Sequence, residues 1–385
     1  MQVETLGTFG IIFGVLARFW PVWIALAVIL FFSLRFRERI GLYGQLFETG
    51  VGVAGVLICF FWLFTALFAA TVAPFDPLAQ FPIMKNVLPG AIEPESGQAF
   101  LFGGDRLARD VFSRMVYGSQ IVLIIAPAAT LFALMVGTTL GLPAGYYGGR
   151  IDSFLSFLAN LVLAFPVILL FYLLVTPGIR ETPIPQWMAG VFFIFPIVFF
   201  VTLFWTRYRS RPQLLAIQLA VTLLVGGWAY LGLVFDADPL GIISISSNQL
   251  NIFVAVVFAS SPGVFRIVRG LVMDIKTRDY VAAAQTRGET PWYIMLWEVL
   301  PNARGPLIVD VCLRIGYTTI LLGTLGYFGL GLAPESPDWG TGIKESSRLL
   351  RAYVHPALPP VFALMSFVLG LNLLADALRE QSLKD

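Results

Sequence analysis

Residues 280–302 read YVAAAQTRGETPWYIMLWEVLPN, a polar island in a chain that is otherwise mostly apolar. Tyr280-Val281-Ala282-Ala283-Ala284 combines helix formers with small side chains, so another backbone can approach closely. Gly288 is placed to end that helix. Glu289-Thr290-Pro291 then opens a second short helix, with Pro in the first turn where its missing N–H leaves no bond unmade. Trp292, Tyr293, Leu296 and Leu300 recur at helical spacing and give this second helix an apolar stripe. A folded loop gripped from outside the membrane fits the pattern. So does an ordinary interfacial anchor, where Trp and Tyr are common. The residues alone leave both readings open.

The rest of the chain sets the context. Of 385 residues, 58% are hydrophobic and 12% charged, and the mean hydropathy is +0.82. A soluble domain carries about 25% charged residues, so the composition is that of an integral membrane protein. A net charge of +2 is too small to point to nucleic acid. Cys59 and Cys312 sit in separate apolar runs and His355 is the single histidine, so neither a disulfide framework nor a metal site is expected. The opening residues, MQVETLGTFG, lack a basic n-region, and no cleaved signal peptide is expected.

Apolar runs of about 20 residues mark spans. They fall near 11–34, 51–72, 120–142, 154–176, 188–206, 214–235, 250–268, 305–325 and 357–375, and the fold class is therefore all-α integral membrane. Positive residues decide orientation. Arg35, Arg37, Arg39, Arg150, Arg207, Arg209, Arg211, Arg266, Arg269, Lys276, Arg278, Arg287, Arg379 and Lys384 all fall on one side when nine spans are counted. The loops around Asp76, Glu93, Asp236 and Asp338 fall on the other. This places the 280–302 island and the C-terminus in the cytoplasm and the N-terminus outside.

Residues 74–118 are too many for a bare connection and are expected to form an ordered outer lobe. Gly103-Gly104-Asp105 reads as a turn and 106–117 as a short helix, in which Arg106, Asp110 and Arg114 could pair at i,i+4. No G-x-x-x-x-G-K-[ST] phosphate loop and no nucleophile–base constellation occurs, so catalysis by this chain alone is not expected. Asp310 and Arg314 are the sharpest polar pair inside a span. They either line a pathway or a partner contact, or form a structural ion pair with each other. Asn160 and Asn372 are further candidates for the pathway, or for hydrogen bonds to neighbouring helices. Pro166 is expected to kink its helix.

The island resembles the cytoplasmic loop of bacterial ABC-importer permeases, whose pattern is E-A-A, three residues, Gly, then Ile, then L-P. Ala283, Ala284, Gly288, Ile294, Leu300 and Pro301 match it. Ala282 stands at the usual Glu position, and Glu298 where His is common. Further matches occur in order over about 50–380: GGDRLARDVFSRMVYG (103–118), with Ala108 for a usual Gly; LPAGYYGGRID (142–152); LAFP (163–166); FGLG (328–331); PDWG (337–340); and LNLLADALRE (371–380). Together these resemble the second permease of the dipeptide, oligopeptide and nickel importers.

The resemblance implies a six-helix core at the second, third, fourth, seventh, eighth and ninth spans, plus about three additional transmembrane helices. The domains then divide as an extra N-terminal span and cytoplasmic loop (1–48), first core span (49–73), extracytoplasmic lobe (74–118), core spans (119–187), inserted helix pair (188–249) and core spans with a coupling loop at 267–303 (250–385). It implies a bacterial inner-membrane complex with a second permease, two cytoplasmic ATPases and an extracytoplasmic substrate-binding protein. ATP and Mg would belong to the ATPases, with no cofactor in this chain. Ala283, Ala284, Gly288, Glu289, Trp292, Tyr293, Leu300 and Pro301 would engage an ATPase. Asp105, Arg109, Asp338 and Trp339 would face the binding protein, although Trp339 also suits an interfacial aromatic. Peptides or a related small solute are the implied cargo. A stand-alone secondary transporter or channel would call for internal repeats and ionisable residues near the midplane of several spans; the sequence shows neither. For the inserted pair three roles are open: lateral packing, a lipid-facing collar, or a dock for an accessory subunit.

Overall fold

The computed structural model describes residues 4–180, 182–238, 241, 247–330 and 335–382. Gly331, the last residue of the FGLG segment, and Lys384 lie outside the described residues. The long helices are α1 (Thr8–Arg18), α2 (Trp20–Arg35), α3 (Gly50–Leu67), α4 (Val111–Tyr147), α5 (Gly149–Leu163), α6 (Val167–Val175), α7 (Ile184–Tyr208), α8 (Pro212–Phe235), α9 (Ser247–Ile275), α10 (Asp279–Thr286), α11 (Arg304–Phe328), α12 (Trp339–Ser347) and α13 (Leu358–Ser382). Among the described residues, seven unbroken helices are long and apolar enough to cross a membrane, and two bent pairs raise the number to as many as nine. The chain divides into two compact units, one of Met1–Pro127 with Ile315–Asp385 and one of Ala128–Arg314.

In the first unit, the N-terminal apolar run is not one straight span. It breaks between α1 and α2 with a bend of 54°. Pro21 lies in the first turn of α2 and has no N–H for the Ala17 carbonyl, so the helical ladder is interrupted there. Phe19 at the break is buried and packs on Phe61 and Phe112, with ring centroids 5.1 and 5.6 Å away. α3 starts on Thr49, whose hydroxyl accepts from the Gly52 N–H, and lies against α13. A β-carbon on Gly55 would stand 2.7 Å from the Leu374 nitrogen, so only glycine allows that approach.

Between α3 and α4 the chain builds an ordered segment around a short hairpin, Ala91–Ile92 with Ala99–Phe100. The N-terminal segment adds to its edge through Leu6 N–H to Gly90 O and Ile92 N–H to Glu4 O, both 2.8 Å. Phe75, Phe81, Phe100 and Met84 fill it. The short helix expected at 106–117 is not there. Residues 105–110 form a turn closed by a bridge between Gly104 and Asp110, and α4 begins at Val111 and runs for 37 residues. The cause is local: Ala108 has φ +62°, a left-handed conformation that no α-helix can contain.

In the second unit, α4 and α9 meet along a glycine seam. β-carbons at Gly137, Gly141 and Gly145 would stand 2.5, 2.9 and 2.7 Å from the Cβ atoms of Val264, Val268 and Val272. Small residues every fourth position let the two backbones close up where lipid gives no hydrophobic drive. α5 and α6 bend by 77° at Pro166, sharper than a kink. The inserted helices α7 and α8 pair through Gln186 Nε2, which donates to Val234 O at 3.0 Å. Their most apolar windows are only 11% and 0% buried, against 67% for α9, so most of their surface is left uncovered by this chain. Phe193 of α7 nevertheless stacks edge-on against Phe132 and Phe253 at 5.0 and 5.5 Å, which fixes the pair to α4 and α9.

Candidate functional site

The 280–302 loop folds as two short helical segments about a glycine turn. α10 places Asp279 in its first turn, where a negative charge suits the helix dipole. At its other end, Gly288 N–H donates to Gln285 O at 2.9 Å and Glu289 N–H to Ala284 O at 3.2 Å. These are the two bonds of a Schellman cap, and Gly288 holds the left-handed position at φ +78°. Among the described residues, a β-carbon on Gly288 would meet nothing within 4 Å beyond its chain neighbours. The glycine is needed for its backbone angle, and the space above it is open.

Thr290 then caps the second segment, its hydroxyl facing the Tyr293 N–H at 3.4 Å, with Pro291 in the first turn. The expected stripe of Trp292, Tyr293, Leu296 and Leu300 is corrected here. The fully buried residues are Ile294, Met295, Leu296 and Val299, while Trp292, Tyr293 and Leu300 are half-buried. Residues Ile294–Val299 wind as a π-helix, not an α-helix, which changes which side chains share a face. Pro301 supplies the reason: it has no N–H for the Trp297 carbonyl.

Val281 and Ala284 of α10 join the buried residues of the second segment in one apolar cluster with Val268, Val272 and Leu307. The loop therefore has a rigid base in its own unit. Its opposite side, with Ala282, Ala283, Arg287, Gly288, Thr290 and Pro301, is exposed. Of the paired alanines only Ala283 is presented outward; Ala284 is in the base. Glu289 is half-buried. Arg287 and Glu298 pair across the turn at 2.8 Å and tie the two segments together. Lys276, just before the loop, donates to the Gly145 and Tyr146 carbonyls at 2.8 and 3.2 Å and caps the end of α4.

The intramembrane pair forms as spaced: Arg314 Nε donates to Asp310 Oδ2 at 2.5 Å, and Arg314 Nη1 reaches the Ser260 carbonyl at 3.2 Å. Asn160 accepts from Arg266 Nη2 at 2.6 Å. Beside it, Arg269 grips both oxygens of Asp152, with Nη2 to Oδ2 at 2.6 Å. Asn372 is exposed on α13, in the first unit.

The residues expected to meet a binding protein are buried. Arg109 is 1% exposed, Trp339 1%, Asp105 5% and Asp338 7%. Arg109 bonds Asp105 at 2.7 Å and also Glu345, and Arg114 lies 3.6 Å from Glu345 and 3.8 Å from Asp105. Trp339 donates to Met115 O at 2.9 Å and packs edge-on against Trp62. Asp338 caps α12 by accepting from Thr341 N–H at 2.9 Å. Side chains this buried cannot serve as surface anchors, so they hold the lobe together. The i,i+4 pairs through Asp110 are likewise replaced. Asp110 caps α4 by accepting from the Ser113 N–H and hydroxyl at 2.8 and 2.7 Å, and burial pushes its carboxyl up to about 6.

The comparison with known families gives this helical, apolar chain its class. Residues 137–382 match the binding-protein-dependent transport system inner membrane component, and the chain belongs to that family. It is thus a multi-pass inner-membrane transport component, of a system that includes a substrate-binding protein and an ATPase. Among its relatives, the di/tripeptide transport system permease protein DppC of Pseudomonas aeruginosa is 29% identical over 85% of this chain and 86% of its own length. The glutathione transport system permease protein GsiD of Pectobacterium atrosepticum is 27% identical over 86% and 85%. The dipeptide permease DppC of Haemophilus influenzae is 28% identical over 82% and 84%.

The sequence reading used Arg207 only for orientation and passed over Thr206 and Trp297. Trp297 Nε1 donates to Thr206 Oγ1 at 3.1 Å, and the Arg207 guanidinium lies 4.8 Å from the Trp297 ring centre. The 207–211 loop and the 280–302 loop therefore lie at the same end of their unit, as the Lys/Arg pattern requires. No local pattern links residues some ninety positions apart.

Proposed function

We propose that the 280–302 loop is the seat of an ATPase and that the chain carries peptides, or a related small solute, inward. The observation that carries this reading is the combination of an open, exposed turn at Gly288 with a buried apolar base on α9 and α11. A partner that pushes on such a loop moves those helices rather than deforming the loop. The relatives named for di/tripeptide, dipeptide and glutathione transport support a peptide-type cargo.

In this reading the chain works with a second permease, two ATPases that bind ATP and Mg, and an extracytoplasmic binding protein. The 280–302 loop and the C-terminus face the cytoplasm and the N-terminus faces outside. Ala283, Gly288, Thr290 and Pro301 offer the contact face. Asp310 and Arg314 hold α11 to α9 through Ser260 while the helices tilt. The divisions drawn at 48, 73, 118, 187 and 249 serve as the working domain map. A cysteine placed at Ala283 tests the seat. It is expected to cross-link to the cognate ATPase in membranes, with a yield that changes on adding ATP and Mg. No cross-link from Ala283, with assembly intact, contradicts the reading.

A further inference from the structure

The inserted helices lie outside the family resemblance, yet α7 ends on the coupling loop. Three different contacts converge there. The first is directional: the Thr206 hydroxyl donates to the Thr202 and Leu203 carbonyls of its own helix at 3.0 and 2.9 Å. Its oxygen is left as the acceptor for the Trp297 N–H. The second is electrostatic: Arg207 stacks on the Trp297 ring, and its Nη1 reaches the Tyr293 hydroxyl at 3.4 Å. The third is apolar: Leu203 and Phe199, one and two turns back along α7, pack against the buried base that holds Ile294 and Met295.

A helical segment as short as Pro291–Asn302, wound partly as π-helix, does not hold its direction unaided. The buried base fixes one side of it. Trp297 is only half-buried there, and its polar edge and ring face are both satisfied by α7.

We propose that α7 is a brace for the coupling loop, with Thr206 and Arg207 as positioning residues that set the angle of the 291–302 segment through Trp297. The inserted pair then takes part in transmission, and is more than a collar facing lipid. This proposal rests on the coupling reading above.

The test uses the assembled complex in proteoliposomes, with ATP hydrolysis and retention of the ATPase as readouts. Arg207→Leu and Trp297→Leu are each expected to lower hydrolysis by about three-fold or more, the scale of a cation–π contact. Their combination should be no worse than the poorer single variant, because both break the same contact. Arg207→Lys, which keeps the cation, should restore most of the rate. Trp297→Phe keeps the ring and loses only the N–H, so it should show an intermediate loss without unfolding the base. A wild-type rate in Arg207→Leu, or losses that simply multiply in the double variant, would overturn the brace. Gly288→Trp is run beside them. If it abolishes hydrolysis while the Arg207 series is silent, only the brace fails. If Gly288→Trp is also at the wild-type rate, the coupling reading fails with it.

Discussion

The lobe motif around Asp105–Asp110 and the loop around Gly288 look alike as sequence: each is a short run of polar and small residues between apolar spans. The structure uses them in opposite ways. In the lobe, the charged side chains turn inward and bond one another, so that Arg109 is almost wholly buried between Asp105 and Glu345. In the loop, apolar side chains turn inward and the backbone turn itself is presented. A motif therefore names residues that matter without saying which are shown to a partner. Changes in the lobe should cost stability, and changes in the loop should cost coupling.

The largest expected effect is on the lobe side. Arg109→Ala leaves Asp105 and Glu345 with only their longer contacts to Arg114, at 3.8 and 3.6 Å, and removing one member of a buried ion network costs about 3–5 kcal/mol. Thermal unfolding in detergent should show a large fall in Tm and poor yield from membranes. A Tm within a degree of the wild type would break the distinction.

Asp110 gives the next effect, through pH. Its carboxyl sits near 6 in the folded protein, raised by burial from the usual 3.8. The folded state therefore binds this proton more tightly than the unfolded state. The group's contribution falls as pH rises from about 4 to 6, and is fully unfavourable above that. Lowering the pH from 7 to 5 should stabilise the lobe through this group by about 1 kcal/mol. Asp110→Asn keeps a capping oxygen for Ser113 and should flatten that dependence. An unchanged pH profile in Asp110→Asn would contradict it.

The smallest effect sharpens the account of the turn. Ala108 is held at φ +62°, at the position where the resembling permeases usually carry Gly. A left-handed alanine costs about 1–2 kcal/mol, part of which glycine returns as unfolded-chain entropy. Ala108→Gly should therefore stabilise the protein by about 0.5–1 kcal/mol, read as a small rise in Tm. A fall in Tm would mean that the Ala108 methyl packs more favourably than its backbone is strained.

Much of the scaffold could be read from the chain. Spans follow from runs of apolar residues, and the turn at Gly288 follows from Gly-Glu-Thr-Pro, because glycine, cap and proline each have a local cause. The break at Pro166 was legible as a kink, although its 77° bend was not. What escaped depends on contacts distant in sequence or on backbone states that pattern does not encode. The start of α4 at Val111 is set by left-handed Ala108, and the buried face of 294–299 by π-winding ahead of Pro301. The burial of Trp339 comes from packing against Met115 and Trp62, more than two hundred positions away. Nothing in the local pattern sets Trp297 apart until Arg207 is seen above it.

The most direct test of the central claim, that the exposed turn at Gly288 is where an ATPase couples, is a paired measurement on Gly288→Trp. Among the described residues, nothing beyond its chain neighbours lies within 4 Å of the added β-carbon, and the left-handed backbone adds strain of about 1–2 kcal/mol. The account predicts a purified permease with a Tm only a few degrees below wild type that no longer retains its cognate ATPase. Full ATPase retention and wild-type ATP hydrolysis by Gly288→Trp would contradict it.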